Sequence, residues 1–247
     1  VDFTPEIRQL AVAAVDRFRL GPLFTPQMLA GTIMRPSVGG GANWSGAAVD
    51  PETGVLYVPS VNAYSTIGIS APEPHEQQST LNYIRRSLSA GPVMPRGLPL
   101  WKPPYSRMTA IDLNEGEHAW MRPNGDGDRY RNHPRLRDLD LPPLGDPGII
   151  GGPLITKTLL VSALSTGGDD DGPRLVARDK ATGDVVGWVD LPARAIGTPM
   201  TYLHDGKQYI ALIVGSGGYQ SGSYNVMVPE IRNPPDRGAA LWVFELP

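Results

Sequence analysis

With 247 residues and 40% hydrophobic side chains, the chain is long enough to bury a sizeable core, and all-β folds of this length often form one domain. A net charge of −3 provides no basic field for nucleic acid or an anionic membrane, and no apolar run reaches the roughly 20 residues of a membrane span. The sequence has no cysteine, so disulfides and thiolate metal sites are excluded.

Glycine (29) and proline (26) approach the proportion found in disordered chains, but the apolar runs recur regularly. That pattern predicts many short strands joined by turns. The chain starts at Val1 without an initiator Met or a signal peptide and reads as a mature form or a cut piece.

One helix is expected, over Thr4–Leu20. Thr4 is its N-cap and Pro5 its first helical residue. Ile7, Leu10, Ala11, Ala14, Val15 and Phe18 fall on one face, and Gly21 stops it. Residues 1–38 form this helix and a lead-in, and 39–247 the strands, within a single domain. Next come Gly39-Gly40-Gly41-Ala42-Asn43-Trp44, a short apolar strand, the turn Asp50-Pro51-Glu52-Thr53-Gly54 and a second strand. Glycines let a backbone approach something closely, and the amide and indole that follow can orient and cover a flat polar ligand.

Two long insertions are expected, at about 62–104 and 123–151. Between and beyond them a unit repeats. Arg107–Trp120 and Arg174–Trp188 each read as strand, polar turn and strand, with Ala-x-Asp-x-x-x-Gly in common and the Trp one place later in the second. The Asp can bond the turn backbone, the Gly can take positive φ, and Trp120 and Trp188 are expected to be buried between neighbouring sheets. A third copy starts at Ala240. Self-similarity at this period, with about four strands per unit, predicts a β-propeller of three or four blades.

The Trp-docking repeats, the Gly-Gly-Gly-Ala-Asn-Trp segment, Gly197–Tyr202 with Gly206–Tyr209, Leu98–Tyr105 and the Pro123–Gly127 loop together resemble one family. It is the dehydrogenases that use pyrroloquinoline quinone (PQQ), especially the glucose dehydrogenase-like branch. The resemblance implies the C-terminal half of an eight-bladed, periplasmic or otherwise exported enzyme that oxidises a sugar or alcohol hydroxyl to a carbonyl with PQQ and Ca²⁺. The family's metal-binding Glu, Asn and Asp, its catalytic Asp and a quinone-orienting Lys have no matching segment here. The isolated chain is therefore expected to lack catalysis, its partner being the missing propeller half or a second copy.

By the same resemblance, Asn43 donates to the quinone edge, and Trp44 either covers the ring or packs between blades. Asp171 and Arg174 flank the cofactor, with Arg174 pairing a carboxylate. Asp126, Asp128 and Asp169–Asp171 offer oxygens to Ca²⁺ but lack the EF-hand pattern. The four histidines have no metal-ligand spacing, and no His stands in Gly215–Tyr219, where some members recognise substrate. The alternative function is a non-catalytic PQQ-repeat scaffold for protein partners.

Overall fold

The computed structural model describes residues 1–43, 46–73, 80–87, 91–146, 151–164, 172–195, 197–215 and 239–246. Trp44 and Asp171 lie outside them. The chain divides into two compact units, 1–40 with 62–102, and 41–61 with 103–247.

The first unit carries helix α1 (Pro5–Val15). Thr4 caps it as the sequence indicates, its Oγ1 accepting the Ile7 N–H at 3.2 Å, and Ile7, Ala11 and the later Phe18 are buried. The helix ends five residues short of Leu20. Arg19 instead pairs with the strand that follows, its N–H donating to Gly31 O and its carbonyl accepting from Ile33 N, both at 2.9 Å. A strand partner outbids helix propensity there. Strands β1 (Thr32–Met34), β4 (Ser65–Ser70) and β5 (Ile84–Ser87) form one antiparallel sheet in the order β1-β4-β5. The stretch 62–104 thus contains two strands of its own.

The second unit holds three antiparallel sheets. β2 (Ala48–Asp50), β3 (Val55–Val61), β6 (Ser106–Asp112) and β7 (Glu117–Pro123) form the first, in chain order. β8 (Leu154–Ile155), β9 (Leu159–Leu164), β10 (Arg174–Asp179) and β11 (Val185–Asp190) form the second in the same order. β12 (Met200–His204), β13 (Lys207–Val214) and β14 (Ala240–Glu245) form the third.

The sheets stack face on face, and β9 shows how. Its Leu160 joins Tyr57, Met108, Ala110 and Trp120 of the first sheet in one core. Its Val161 and Ala163 join Leu175 and, from the third sheet, Ile210, Leu212 and Val214 in another. Successive residues of a strand point to opposite faces, so one strand supplies both interfaces.

Three turns share one construction. Asp50, Asp112 and Asp179 each accept backbone N–H bonds from the residues two or three places on, as in Asp179 Oδ1 with Ala181 N (2.8 Å) and Thr182 N (3.0 Å). In each, the Gly four places on returns its N–H to the Asp carbonyl, at 2.8 to 2.9 Å. This is the Asx-type turn that the repeated Asp and Gly predict.

Trp120 is 8% exposed and docks on the second sheet, its Nε1 donating to Lys180 O at 3.1 Å. Trp188, expected to be buried likewise, is 57% exposed. Register explains the difference. Ala110 pairs with Trp120, whereas the equivalent Ala177 pairs with Gly187. Trp188 stands opposite Val176, one residue further along, and a one-residue step turns a side chain to the other face.

Candidate functional site

The start of β2, the end of β7 and the start of β10 lie at corresponding ends of the first two sheets, as antiparallel order requires. The chain that enters β2 carries Asn43, which is exposed, and whose carbonyl accepts Gly46 N at 3.0 Å. Gly41 ties this lead-in to the end of β3, its carbonyl accepting Val61 N at 3.0 Å.

The loop after β7 is built tightly. Asn124 N donates to Ser106 O (3.1 Å) and Ser106 Oγ to Asn124 O (3.0 Å). Residues 144–146 then run against 124–126: Leu144 N donates to Asp126 O, Gly145 N to Gly125 O and Asp146 N to Asn124 O. A Cβ at Gly145 would stand 2.2 Å from Ser106 O, so no larger residue fits that crossing. The short helix α2 (Asp128–Arg131) follows 124–127; its Arg129 is buried, as are His133, Leu136 and Leu144 further along the segment. The insertion at 123–146 is thereby closed by its own backbone bonds, with several of its side chains buried.

Arg174 opens β10 and is 9% exposed. Its Nη2 donates to Asp126 Oδ2 at 3.0 Å, and its guanidinium carbon lies 5.7 Å from the centre of the Trp188 ring. The exposed indole therefore has a role: it lies over a buried cation. Arg174 Nε is buried and has no hydrogen-bond partner. Four residues on, Arg178 donates Nη1 to Gly183 O (3.0 Å) and Nη2 to Pro123 O (3.4 Å). Burial, and then the nearby Arg174 charge, lower its pKa. Asn124 is wholly buried, and neither its Oδ1 nor its Nδ2 has a hydrogen-bond partner. Buried polar groups left in this state normally answer to a water, an ion or a ligand.

The structure thus sets Asn43 and Arg174 at the same end of adjacent sheets but brings no bond between them, since Arg174 bonds Asp126. The aspartates that the sequence offers as oxygen ligands are engaged elsewhere: Asp126 with Arg174, and Asp128 with Arg131 at 3.3 Å. Among the described residues no three His, Asp or Glu side chains are grouped to hold a metal ion, and no helix is long and apolar enough to cross a membrane. Asp169–Asp171 and residues 216–219 fall outside the described residues. Sequence reasoning missed the Asp126–Arg174 pair and the orphaned Asn124 amide. Asp126 was visible only as one of several loop acids, and nothing local named its cation.

Residues 1–210 match the family described as the β-propeller domain of glucose, ethanol and alcohol dehydrogenases. Quinoprotein glucose dehydrogenase of Gluconobacter oxydans (strain 621H) is 32% identical over 234 residues, which cover 81% of this chain and 27% of that protein. Its counterpart in Escherichia coli (strain K12) is 27% identical over 229 residues, covering 85% and 28%. A europium-containing methanol dehydrogenase superposes with a TM-score of 0.52 at 21% identity, over 85% of this chain and 34% of that one, a likeness of fold. The chain spans less than a third of the length of these curated relatives. With stacked four-stranded sheets, repeated Asp-to-Gly turns and a match over most of its length, the chain belongs to the glucose/ethanol/alcohol dehydrogenase β-propeller family.

Proposed function

We propose that this chain is one section of a PQQ-dependent dehydrogenase that oxidises a sugar or alcohol hydroxyl to a carbonyl, and that it supplies part of the quinone pocket. The observation that carries this reading is the family match over residues 1–210. When bound, PQQ supplies the two-electron acceptor, and a metal ion such as Ca²⁺ polarises it. In this reading the metal ligands and the base lie outside the present 247 residues, in the rest of an exported enzyme.

The residues of the chain suit an anionic, oxygen-rich, flat cofactor. Asn43 presents an amide in an exposed loop and donates to a quinone oxygen, where charge develops on reduction. Arg174 holds a cofactor carboxylate through the guanidinium N–H groups that Asp126 leaves unused, its side chain being 11% accessible. Asp126 fixes Nη2 and Trp188 lies over the plane, so the guanidinium is oriented before any ligand arrives. The bond to Asp126 uses one of the five guanidinium N–H donors, which leaves Nη1 and the second Nη2 hydrogen for the carboxylate. Trp44 and Asp171, which lie outside the described residues, are assigned to the pocket by the family resemblance alone.

Titration of the chain with PQQ, with and without Ca²⁺, tests the reading. Binding seen as a shift in quinone absorbance, and weakened on the order of 10-fold or more by Arg174→Ala, is the expected result; a lost charge-assisted bond is worth about 1.5–3 kcal/mol. No uptake under any condition would favour the protein-binding scaffold instead.

A further inference from the structure

The interface between the first two sheets changes character along its length. Near the turns it is apolar, with Tyr57, Met108, Ala110 and Trp120 packed on Leu160. Towards the other end it becomes polar, and alternation along the strands says which side chains face it. Leu160 of β9 faces the first sheet, so Ser162 and Leu164 do too, with their β10 partners Arg178, Val176 and Arg174. On the first sheet, Trp120 pairs with Ala110 and Arg122 with Met108. Asn124 continues this row, its N–H donating to Ser106 O at 3.1 Å, so its amide faces the second sheet.

Two contacts fix its height. Arg178 Nη2 donates to Pro123 O (3.4 Å) and Arg174 Nη2 to Asp126 Oδ2 (3.0 Å), which sets Asn124 between the two arginines, over the Val176–Ser162 pair. Packed sheets stand roughly 10 Å apart, more than an Asn and a Ser side chain span. Asn124 and Ser162 are both wholly buried. Asn124 Oδ1 and Nδ2, Ser162 Oγ and the Nε of both arginines are buried without a hydrogen-bond partner. Donors predominate in this set: two guanidinium N–H groups, an amide NH₂ and a hydroxyl.

The charge is unbalanced in the same sense. Arg178 is 4% exposed, and its hydrogen bonds go to two neutral carbonyls, Gly183 O and Pro123 O. The charges that act on it form pairs of their own, Arg174 with Asp126 and Arg122 with Asp184. Asp146, a buried acid of the same loop, accepts the Gly127 N–H at 3.1 Å. A buried cation without a counter-charge is costly. We infer that the space bounded by Asn124, Ser162, Arg174 Nε and Arg178 Nε binds a small monovalent anion of the chloride class. The anion neutralises Arg178, takes the unused donors and ties the two sheets together. The site consists of buried atoms between the sheets and is independent of the cofactor reading.

Bromide, a chloride substitute visible by anomalous scattering, tests it directly. Crystals of the chain grown in bromide should show an anomalous peak beside Asn124 Nδ2 and Arg178 Nε. In solution, with gluconate replacing chloride at constant ionic strength, each tenfold rise in chloride above its dissociation constant should lift the thermal midpoint by about 3–5 °C. Asn124→Asp places a carboxylate where the anion sits, and should fold and lose both the peak and the chloride dependence. Arg178→Met removes the uncompensated cation and should lose them as well. Water alone at the site in bromide crystals would overturn the inference. So would a chloride dependence that Asn124→Asp leaves unchanged, because the ion would then act elsewhere.

Discussion

Lys180 makes three of the contacts that hold the first two sheets together. Its carbonyl accepts both Tyr57 Oη (2.9 Å) and Trp120 Nε1 (3.1 Å), and its ammonium reaches Asp50 at 2.5 Å. The bond from Lys180, followed by those from Thr53 and the Glu52 N–H, holds the Asp50 carboxyl at about 2, against an ordinary value of 3.8. Because the folded value is the lower one, the stability it contributes is fully present above about pH 4 and is lost as pH falls towards 2. Asp50→Asn should therefore be less stable than wild type at neutral pH, with the gap closing between pH 4 and 2; urea midpoints measured across that range check it. A second comparison separates conformation from contact. Gly116 and Gly183 hold equivalent places in the repeat, at φ +74° and +77°. A Cβ at Gly116 meets nothing within 4 Å, whereas at Gly183 it would stand 2.7 Å from the Trp120 ring. Gly116→Ala should cost about 1–2 kcal/mol for the left-handed backbone alone. Gly183→Ala should cost clearly more, because the indole must also move; paired denaturant titrations would show equal losses if the ring contact were unimportant.

Strands and turns were legible in the sequence where the information is local. The helix start was read from Thr4 and Pro5, and Thr4→Ala should destabilise the first unit by about 1 kcal/mol, read as a lower thermal midpoint and faster amide exchange in α1. The Asp-x-x-x-Gly turns were equally visible because their bonds close within four residues. What escaped depends on partners distant in sequence. The helix stops at Val15 because Arg19 finds a strand beyond it. Trp188 looked like a second Trp120 until its register set it one residue on, over Arg174. The candidate site was legible in its residue types and not in its bonding. Arg174 stood out as a cation at a strand start, but its Asp126 lies 48 residues away in a loop that closes only through backbone pairing with 144–146.

Across the second unit the three sheets form a series in which each is stabilised by its neighbours, and among the described residues no single core spans all three. The first interface is centred on Trp120, Tyr57 and Leu160, the second on Leu175, Ile210 and Leu212. Both draw on β9, so the middle sheet cannot lose its packing without exposing both outer ones. Stability in such a stack is close to a sum of sheet and interface contributions, and its cooperativity depends on the interfaces. Trp120→Ala removes most of one interface at once: the buried ring, its tilted contact with Tyr57 at 5.8 Å and its bond to Lys180. Large-to-small changes of this kind cost about 3–5 kcal/mol. The sharper expectation concerns the shape of the transition. If the interface couples the sheets, weakening it lets the first sheet unfold ahead of the other two, and the slope of stability against denaturant falls because less surface is exposed in each step. Tryptophan fluorescence and far-ultraviolet dichroism should then give separate midpoints in Trp120→Ala while coinciding in wild type. Trp188→Ala, which removes an exposed indole from outside both cores, is the control and should shift neither slope nor coincidence. Coincident, steep transitions in Trp120→Ala would mean that the three sheets are held together by something other than these two interfaces.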